Sequence, residues 1–411
     1  MIERYARSPM KDLWTEQAGY ERWLEVELAA TEVMEALGEI PEGSADTMRS
    51  RAALDLDRIR EFESEIGHDL LAFIRAVEET IGETGRYLHR GLTASDVKDT
   101  ALAMTVRDAV TLVLDDLDRL QTVLKRRAEE HKTTLMVGRT HGMHAEPITF
   151  GLKLLNWYDE LDRDRHRLKA ARQVIAYGKI SGAVGTYAHV NPEVEHRVCE
   201  RLGLKPARVS NQILQRDRHA QVLSTLAILG AGLERIAIEI RHLQRTEVGE
   251  VREKASHGSS SMPHKQNPIA SETISGLARV LRGNLGASLE SIALWHERDI
   301  SHSSVERIVL PDSFIAVDYM LGRMTEVIEK LEVDAGRMRE NLERTQGLIF
   351  SQVVLLKLVD RGMTRQVAHE LIRALAEDVQ TSDVAFKTLL QRDERILTYL
   401  SVEEIDGVFN E

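Results

Sequence analysis

No proline occurs between Pro41 and Pro147, and none follows Pro311. Proline removes a backbone donor and clashes with the preceding helical turn, so proline-free stretches of this length leave room for long unbroken helices. Two stretches show the periodicity that such helices need. Val106, Val110, Val113, Leu117, Leu120 and Leu124 recur at alternating intervals of four and three. Leu226, Leu229, Leu233, Ile236, Ile240 and Leu243 alternate in the same way. Both are seams of bundle helices. Aromatic residues make up only 5%, and Leu, Ala, Glu and Arg dominate. Few strand-like alternations appear, so the expected class is all-α.

Further helices are expected from Leu13 to Leu37, after Pro147 past Leu152, Leu155 and Leu161, from Ile269 to about Leu294, and from Pro311 onward. Shorter helices fill the region from about Arg344. The 226–243 seam is longer than one ordinary domain requires, and it invites packing against other subunits.

A chain of 411 residues predicts roughly two or three domains. With 43% hydrophobic and 29% charged residues it belongs with soluble globular proteins. The net charge of -12 argues against general nucleic-acid binding, while a local basic pocket can still hold a phosphate. Cys199 is the only cysteine, so no intramolecular disulfide forms, which suits a reducing cytoplasm. Met1-Ile2-Glu3-Arg4 does not read as a signal peptide, and no apolar run approaches a membrane span.

Irregular polar segments punctuate the helices. Gly258-Ser259-Ser260-Ser261-Met262-Pro263-His264-Lys265-Gln266-Asn267-Pro268 is the most distinctive. Its glycine and serines favour non-helical backbone, and its prolines forbid a continuous helix. Pro268 is expected to open the next helix with Asn267 as cap. Hydroxyls, an ammonium and an amide are thus delivered to a helix N-terminus, good equipment for a carboxylate or a developing oxyanion. His68-Asp69 opens a helix after Gly67, and Thr93 or Ser95 caps another whose first turn holds Asp96. Gly138 to Pro147 carries His141 and His144 with Glu146, but no further ligand cluster with zinc spacing accompanies them. Gly178 to Tyr187 fits neither the Walker nor the dinucleotide pattern and reads as a turn-rich connection. Trp295 to Arg307 packs charges, hydroxyls and imidazoles densely. In a bundle of long antiparallel helices such breaks gather at the ends, so a site built from several helix ends follows.

The string Gly-Ser-Ser-x-Met-Pro-x-Lys-x-Asn-Pro resembles the signature of the fumarase/aspartase superfamily, whose members cleave C–N or C–O bonds by β-elimination and release fumarate. Arg4-Tyr5, Gly67-His68-Asp69, His89 before Gly91-Leu92-Thr93, residues 138–146, Leu-Gln-Arg-Asp-Arg-His at 214–219 and residues 295–304 extend the resemblance over nearly the whole chain. They resemble the members that act on succinylated purine nucleotides. The resemblance implies a three-domain fold with boundaries at 1–93, 94–341 and 342–411, and a central long-helix bundle that builds a tetrameric core. It implies a cytoplasmic homotetramer with active sites shared between subunits, small-molecule nucleotide substrates, and no cofactor, metal, nucleic acid or membrane. The implied reactions are adenylosuccinate to AMP and SAICAR to AICAR, each with release of fumarate.

Roles are implied position by position. Ser259 matches the proton acceptor, His141 the general acid and Glu272 its partner, with Lys265 and His68 in the catalytic set. Arg4, Tyr5, His89, Ser303 and Arg307 match phosphate and nucleotide contacts. His68, Asp69, Thr93, Ala94, Thr140, Gln212, Ser260, Lys265, Asn267 and Arg298 match contacts to the succinyl part or its surroundings. Ala94 stands where serine is expected after Thr93. The loop signature alone leaves open other superfamily lyases or cycloisomerases, of argininosuccinate or carboxymuconate type, and a helical scaffold without turnover. His89, Arg4 and Arg307 favour a phosphorylated nucleotide.

Overall fold

The computed structural model of the chain describes residues 1–254, 262, 264–382 and 384–409. Five long helices carry it: α1 (Ala94–Glu130), α2 (Phe150–Ile175), α3 (Asp217–Gln244), α4 (Ile269–Glu290) and α5 (Ser301–Lys330). Every residue of the two predicted seams is buried, so the four-three spacing places one side of α1 and one side of α3 in the core. The α3 seam is therefore filled within the chain itself and is not left for other subunits. The apolar residues that do stand exposed on long helices are others, including Leu152 and Leu155 on α2 and Val280 and Leu289 on α4.

Two compact units are present, and each long helix contributes residues to both. The first comprises 1–121, 160–237 and 270–326. Its core includes Phe62, Leu70, Phe73, Val97, Val194 and Cys199. The second comprises 122–159, 238–269 and 327–411. Its core is built mostly by the short C-terminal helices, with Val354, Leu358, Phe386, Leu390 and Ile405 inside.

Local chemistry moved several boundaries. The helix nearest the N-terminus, Glu16–Ala36, begins at Glu16 and not Leu13, because the Thr15 side chain accepts the Ala18 N–H at 3.1 Å and caps it there. Lys11–Trp14 form a separate 3-10 turn. The α4 helix starts at Ile269 as expected and ends at Glu290, short of Leu294. The α5 helix begins at Ser301 and runs through Pro311, where the helix was expected to start. Buried Val309, Leu310 and Phe314 on either side hold it in place despite the loss of one backbone bond. Residues 138–147 are not irregular. They belong to a hairpin of β1 (Leu135–Thr140) and β2 (Met143–Thr149) with a bulge near Arg139.

The turn-rich 178–187 connection conceals a buried ion pair. Lys179 is wholly buried, and its ammonium donates to the Asp96 carboxylate and to the carbonyls of Gly182 and Gln212, the last two at 3.2 and 2.9 Å. Removing one partner of such a pair leaves an uncompensated charge in the core, which costs about 3–5 kcal/mol. Lys179→Met is therefore expected to lose about that much unfolding free energy in urea titrations. A loss below about 1 kcal/mol would show that backbone donors alone sustain Asp96.

Candidate active site

In the first unit the Asp69–Ile81 helix starts at a working cap. The His68 Nδ1 accepts the Leu71 N–H at 3.4 Å. Asp69, the next residue, takes the Lys98 ammonium on one oxygen and the Arg307 guanidinium on the other. Burial pushes the Asp69 carboxyl up, but Lys98 and Arg307 outweigh it and hold it at about 2. Lys98 is drawn below the ordinary lysine value, by burial first and by Arg307 and Arg298 in addition, against the pull of Asp69.

Lys98 and Arg307 line a cavity of about 260 Å³, together with Trp14, Trp23, Arg298 and Ser303 among others. Arg298 has no carboxylate partner among the described residues. One of its nitrogens donates to the Gln212 side chain at 3.0 Å, and its Nε is buried without a partner. A cavity with paired and unpaired cations on its wall is suited to an anion. Its lining also includes a buried cluster. Arg216 grips Asp99 with two bonds, 2.7 and 2.8 Å, and reaches Glu306 at 3.2 Å. His219 and His302 lie within the electrostatic reach of this cluster, and burial draws them down to about 3 and about 4, so both are neutral.

Two more predicted residues are anchored close by in the chain. His89 has a left-handed backbone, φ 58°, held because both its N–H and its ring nitrogen meet buried Glu27, at 2.9 and 2.6 Å. Burial lowers the His89 pKa and Glu27 more than restores it, so the net shift is upward. The Thr93 N–H donates to Asp96 at 2.8 Å, and Ala94 opens α1 half-buried beside it. Arg4 is exposed on the N-terminal arm. Tyr5 packs edge-on against Tyr319, twelve residues or about 18 Å of helix beyond Arg307. Glu272 is exposed in the first turn of α4.

In the second unit, His141 and Gly142 form the two-residue tip of the β1–β2 hairpin, with φ of 56° and 78°. Two positive φ values in a two-residue loop match the type I′ turn whose twist fits a hairpin. His141 is thus presented to solvent on a rigid ribbon, with Thr140 exposed beside it. Arg139 fastens the ribbon through a two-point bond to wholly buried Glu250, at 2.9 and 2.6 Å, and Asn341 donates to the same carboxylate at 2.8 Å. His144 is half-buried; burial and then Arg139 lower its pKa. Lys265 is exposed and Asn267 half-buried before α4. Ser259 and Ser260 lie outside the described residues.

Residues 4–283 match the family model described as Lyase, and residues 347–411 match the one described as Adenylosuccinate lyase C-terminus. An adenylosuccinate lyase of Bacillus subtilis (strain 168) is 49% identical over 413 residues, covering 100% of this chain and 96% of the relative. This chain belongs to the adenylosuccinate lyase family. Its fold is shared more widely. A fumarate lyase from Mesorhizobium sp. BNC1 matches with a TM-score of 0.91 at 27% identity, over 99% of this chain and 95% of the other. A 3-carboxy-cis,cis-muconate lactonizing enzyme from Pseudomonas putida matches at 0.90 and 29%, over 98% and 93%.

Within this family member, sequence reasoning passed over Lys98 and Trp23, which line the cavity beside predicted residues. Lys98 left a faint signal. A cation near the N-terminal end of a helix runs against the helix dipole and needs a local anion, here Asp69. The Asp99–Arg216–Glu306 cluster left none, since its three members are far apart in sequence.

Glu306 yields a test of the cavity floor. Burial pushes its carboxyl up to about 7, with Arg216 opposing and Asp99 adding to the rise. A raised acid binds its proton more tightly in the folded chain than in the unfolded one. Its effect on stability is therefore constant below the ordinary carboxylate value, unfavourable as pH climbs to about 7, and level beyond. Glu306→Gln is expected to gain on the parent protein by about 1–3 kcal/mol between about pH 4.5 and pH 7. Urea unfolding at both ends of that window measures it. A difference that does not change with pH contradicts the raised carboxyl.

Proposed function

We propose that this chain is an adenylosuccinate lyase that eliminates fumarate from adenylosuccinate, giving AMP, and from SAICAR, giving AICAR. The observation that carries the reading is 49% identity to a curated enzyme of that name along the whole chain. The cavity lined by Lys98, Arg298 and Arg307 supports it, because the substrate bears two carboxylates and a phosphate. We further propose the assembly, domains and location that the family resemblance implies: a cytoplasmic homotetramer with shared active sites, each subunit divided at 1–93, 94–341 and 342–411.

The chemistry removes a proton α to a carboxylate and then expels an amine. The carbanion becomes accessible only when its charge spreads into the neighbouring carboxylate as an aci-carboxylate, which places two negative charges on one group. Lys265, Asn267 and backbone N–H groups of the 258–268 loop are assigned to hold that charge. One preorganised donor contributes about 3–4 kcal/mol. Ser259 takes the proton. Its alkoxide is too costly in water, so a nearby ammonium and aligned backbone dipoles must stabilise it. His141 delivers a proton to the leaving nitrogen, and Glu272 orients its ring and favours the charged form. His68 meets the succinyl part together with Asp69, Thr93, Thr140, Gln212, Ser260 and Arg298. His89, Arg4, Tyr5, Ser303 and Arg307 address the phosphate and nucleotide.

Purified protein is expected to turn over adenylosuccinate and SAICAR, and to leave argininosuccinate and carboxymuconate untouched, as followed by ultraviolet absorbance. His141→Gln and Ser259→Ala are each expected to lower kcat about 10²–10⁴-fold while the circular dichroism spectrum is retained. Turnover of argininosuccinate alone would replace the substrate assignment. Full activity in either variant would remove that residue from the mechanism.

A further inference from the structure

The N-terminal arm lies against α5 and is fixed there by one residue to which the mechanism gives no role. Arg7 donates from Nη2 to Asp116 at 2.8 Å, and its Nε lies 3.1 Å from Asp318. Both carboxylates are buried, with side chains 8% and 3% exposed. Arg119 binds the other oxygen of Asp116 at 3.0 Å, so the two acids and two guanidiniums form one compact cluster. The guanidinium of Arg7 also fills a slot in α5 that exists only because residue 322 is glycine. A β-carbon there would stand 1.3 Å from Arg7 Nη1 and 2.6 Å from Cζ. Glycine is otherwise a poor choice inside a helix. Its presence in α5 is explained by the guanidinium it admits.

The arm on the N-terminal side of Arg7 has few other fastenings among the described residues. The Met1 amine pairs with Asp312, Lys11 pairs with Glu3 in an exposed contact, and Tyr5 touches Tyr319 edge-on at 5.1 Å. On the C-terminal side, wholly buried Met10 and the stacking of Trp14 on Phe314 hold the chain without help. Arg7 is therefore the hinge pin of residues 1–6 and of little beyond them.

We propose that Arg7, seated in the Gly322 slot between Asp116 and Asp318, is a positioning residue for the substrate nucleotide. It orders the arm so that Arg4 and Tyr5 are preset for contact. The inference rests on the assignment of Arg4 and Tyr5 as nucleotide contacts. A preset arm loses its conformational entropy on folding instead of on binding, so releasing it weakens binding and leaves bond cleavage alone.

Gly322→Ala is the sharpest test. It expels the guanidinium without removing any charge, and alanine is the better helix former, so the helix itself is not weakened. Gly322→Ala and Arg7→Ala are each expected to raise the KM for adenylosuccinate about tenfold with kcat within about twofold of the parent. Amides of residues 2–6 are expected to exchange hydrogen faster in both. Arg4→Ala is measured alongside. If Arg4→Ala raises KM and the other two do not, the latch is overturned while the arm keeps its role. If Arg4→Ala leaves KM unchanged, the nucleotide assignment of the arm is overturned and the latch with it. A fall in melting temperature with unchanged KM and unchanged exchange marks Arg7 as merely structural and overturns the proposal.

Discussion

One carboxylate organises much of the first unit. Asp96 sits in the first turn of α1, wholly buried, and accepts from the N–H groups of Thr93, Ser181 and Gly182 as well as from the Lys179 ammonium. Water would solvate such a group well, so its burial is tolerable only because every oxygen is met by a donor and its charge by a cation. The same ammonium closes on the Gln212 carbonyl, and the Gln212 side chain meets Arg298. A helix start, a glycine-rich connection and a cavity residue are thereby locked together. Disturbing the carboxylate would disturb all three.

Around the cavity the charges are unequal. Asp69 serves two cations, and Arg298 has only a neutral partner. The surplus is positive and faces the cavity, whereas Arg216, which lines the same cavity, is paired with Asp99 and Glu306. That contrast separates cations left to receive an anion from one whose charge is already met within the protein. Backbone strain follows a similar division. His89 and His141 both hold left-handed φ, which disfavours any residue with a β-carbon. Glu27 stabilises the first, and the closing geometry of the hairpin stabilises the second.

Much was legible from the chain alone. Sparse prolines and four-three apolar spacing determined the all-α class and identified which faces of α1 and α3 are buried. His68 as a helix start and Thr93 with Asp96 at the head of α1 followed from the short reach of capping side chains to their own backbone. The polar strings at 67–69, 89–93, 138–146 and 295–307, together with the 258–268 signature, carried the family resemblance, and the family is the one to which the chain belongs.

Only the tertiary structure decided the rest, because it depends on groups distant in sequence. Lys179 read as part of a loose connection, yet it finds its carboxylate eighty-three positions away. The His141 segment read as irregular, since a two-residue turn with a histidine in place of the usual asparagine hides the pairing of its flanking strands. Arg7 carries no pattern of its own. Its role is set by Asp116, Asp318 and the missing β-carbon of Gly322, and these meet only when the arm lies on the helix. Periodicity and capping are short-range and are written locally. Charge pairing and close approach are long-range, and the fold alone brings their partners together.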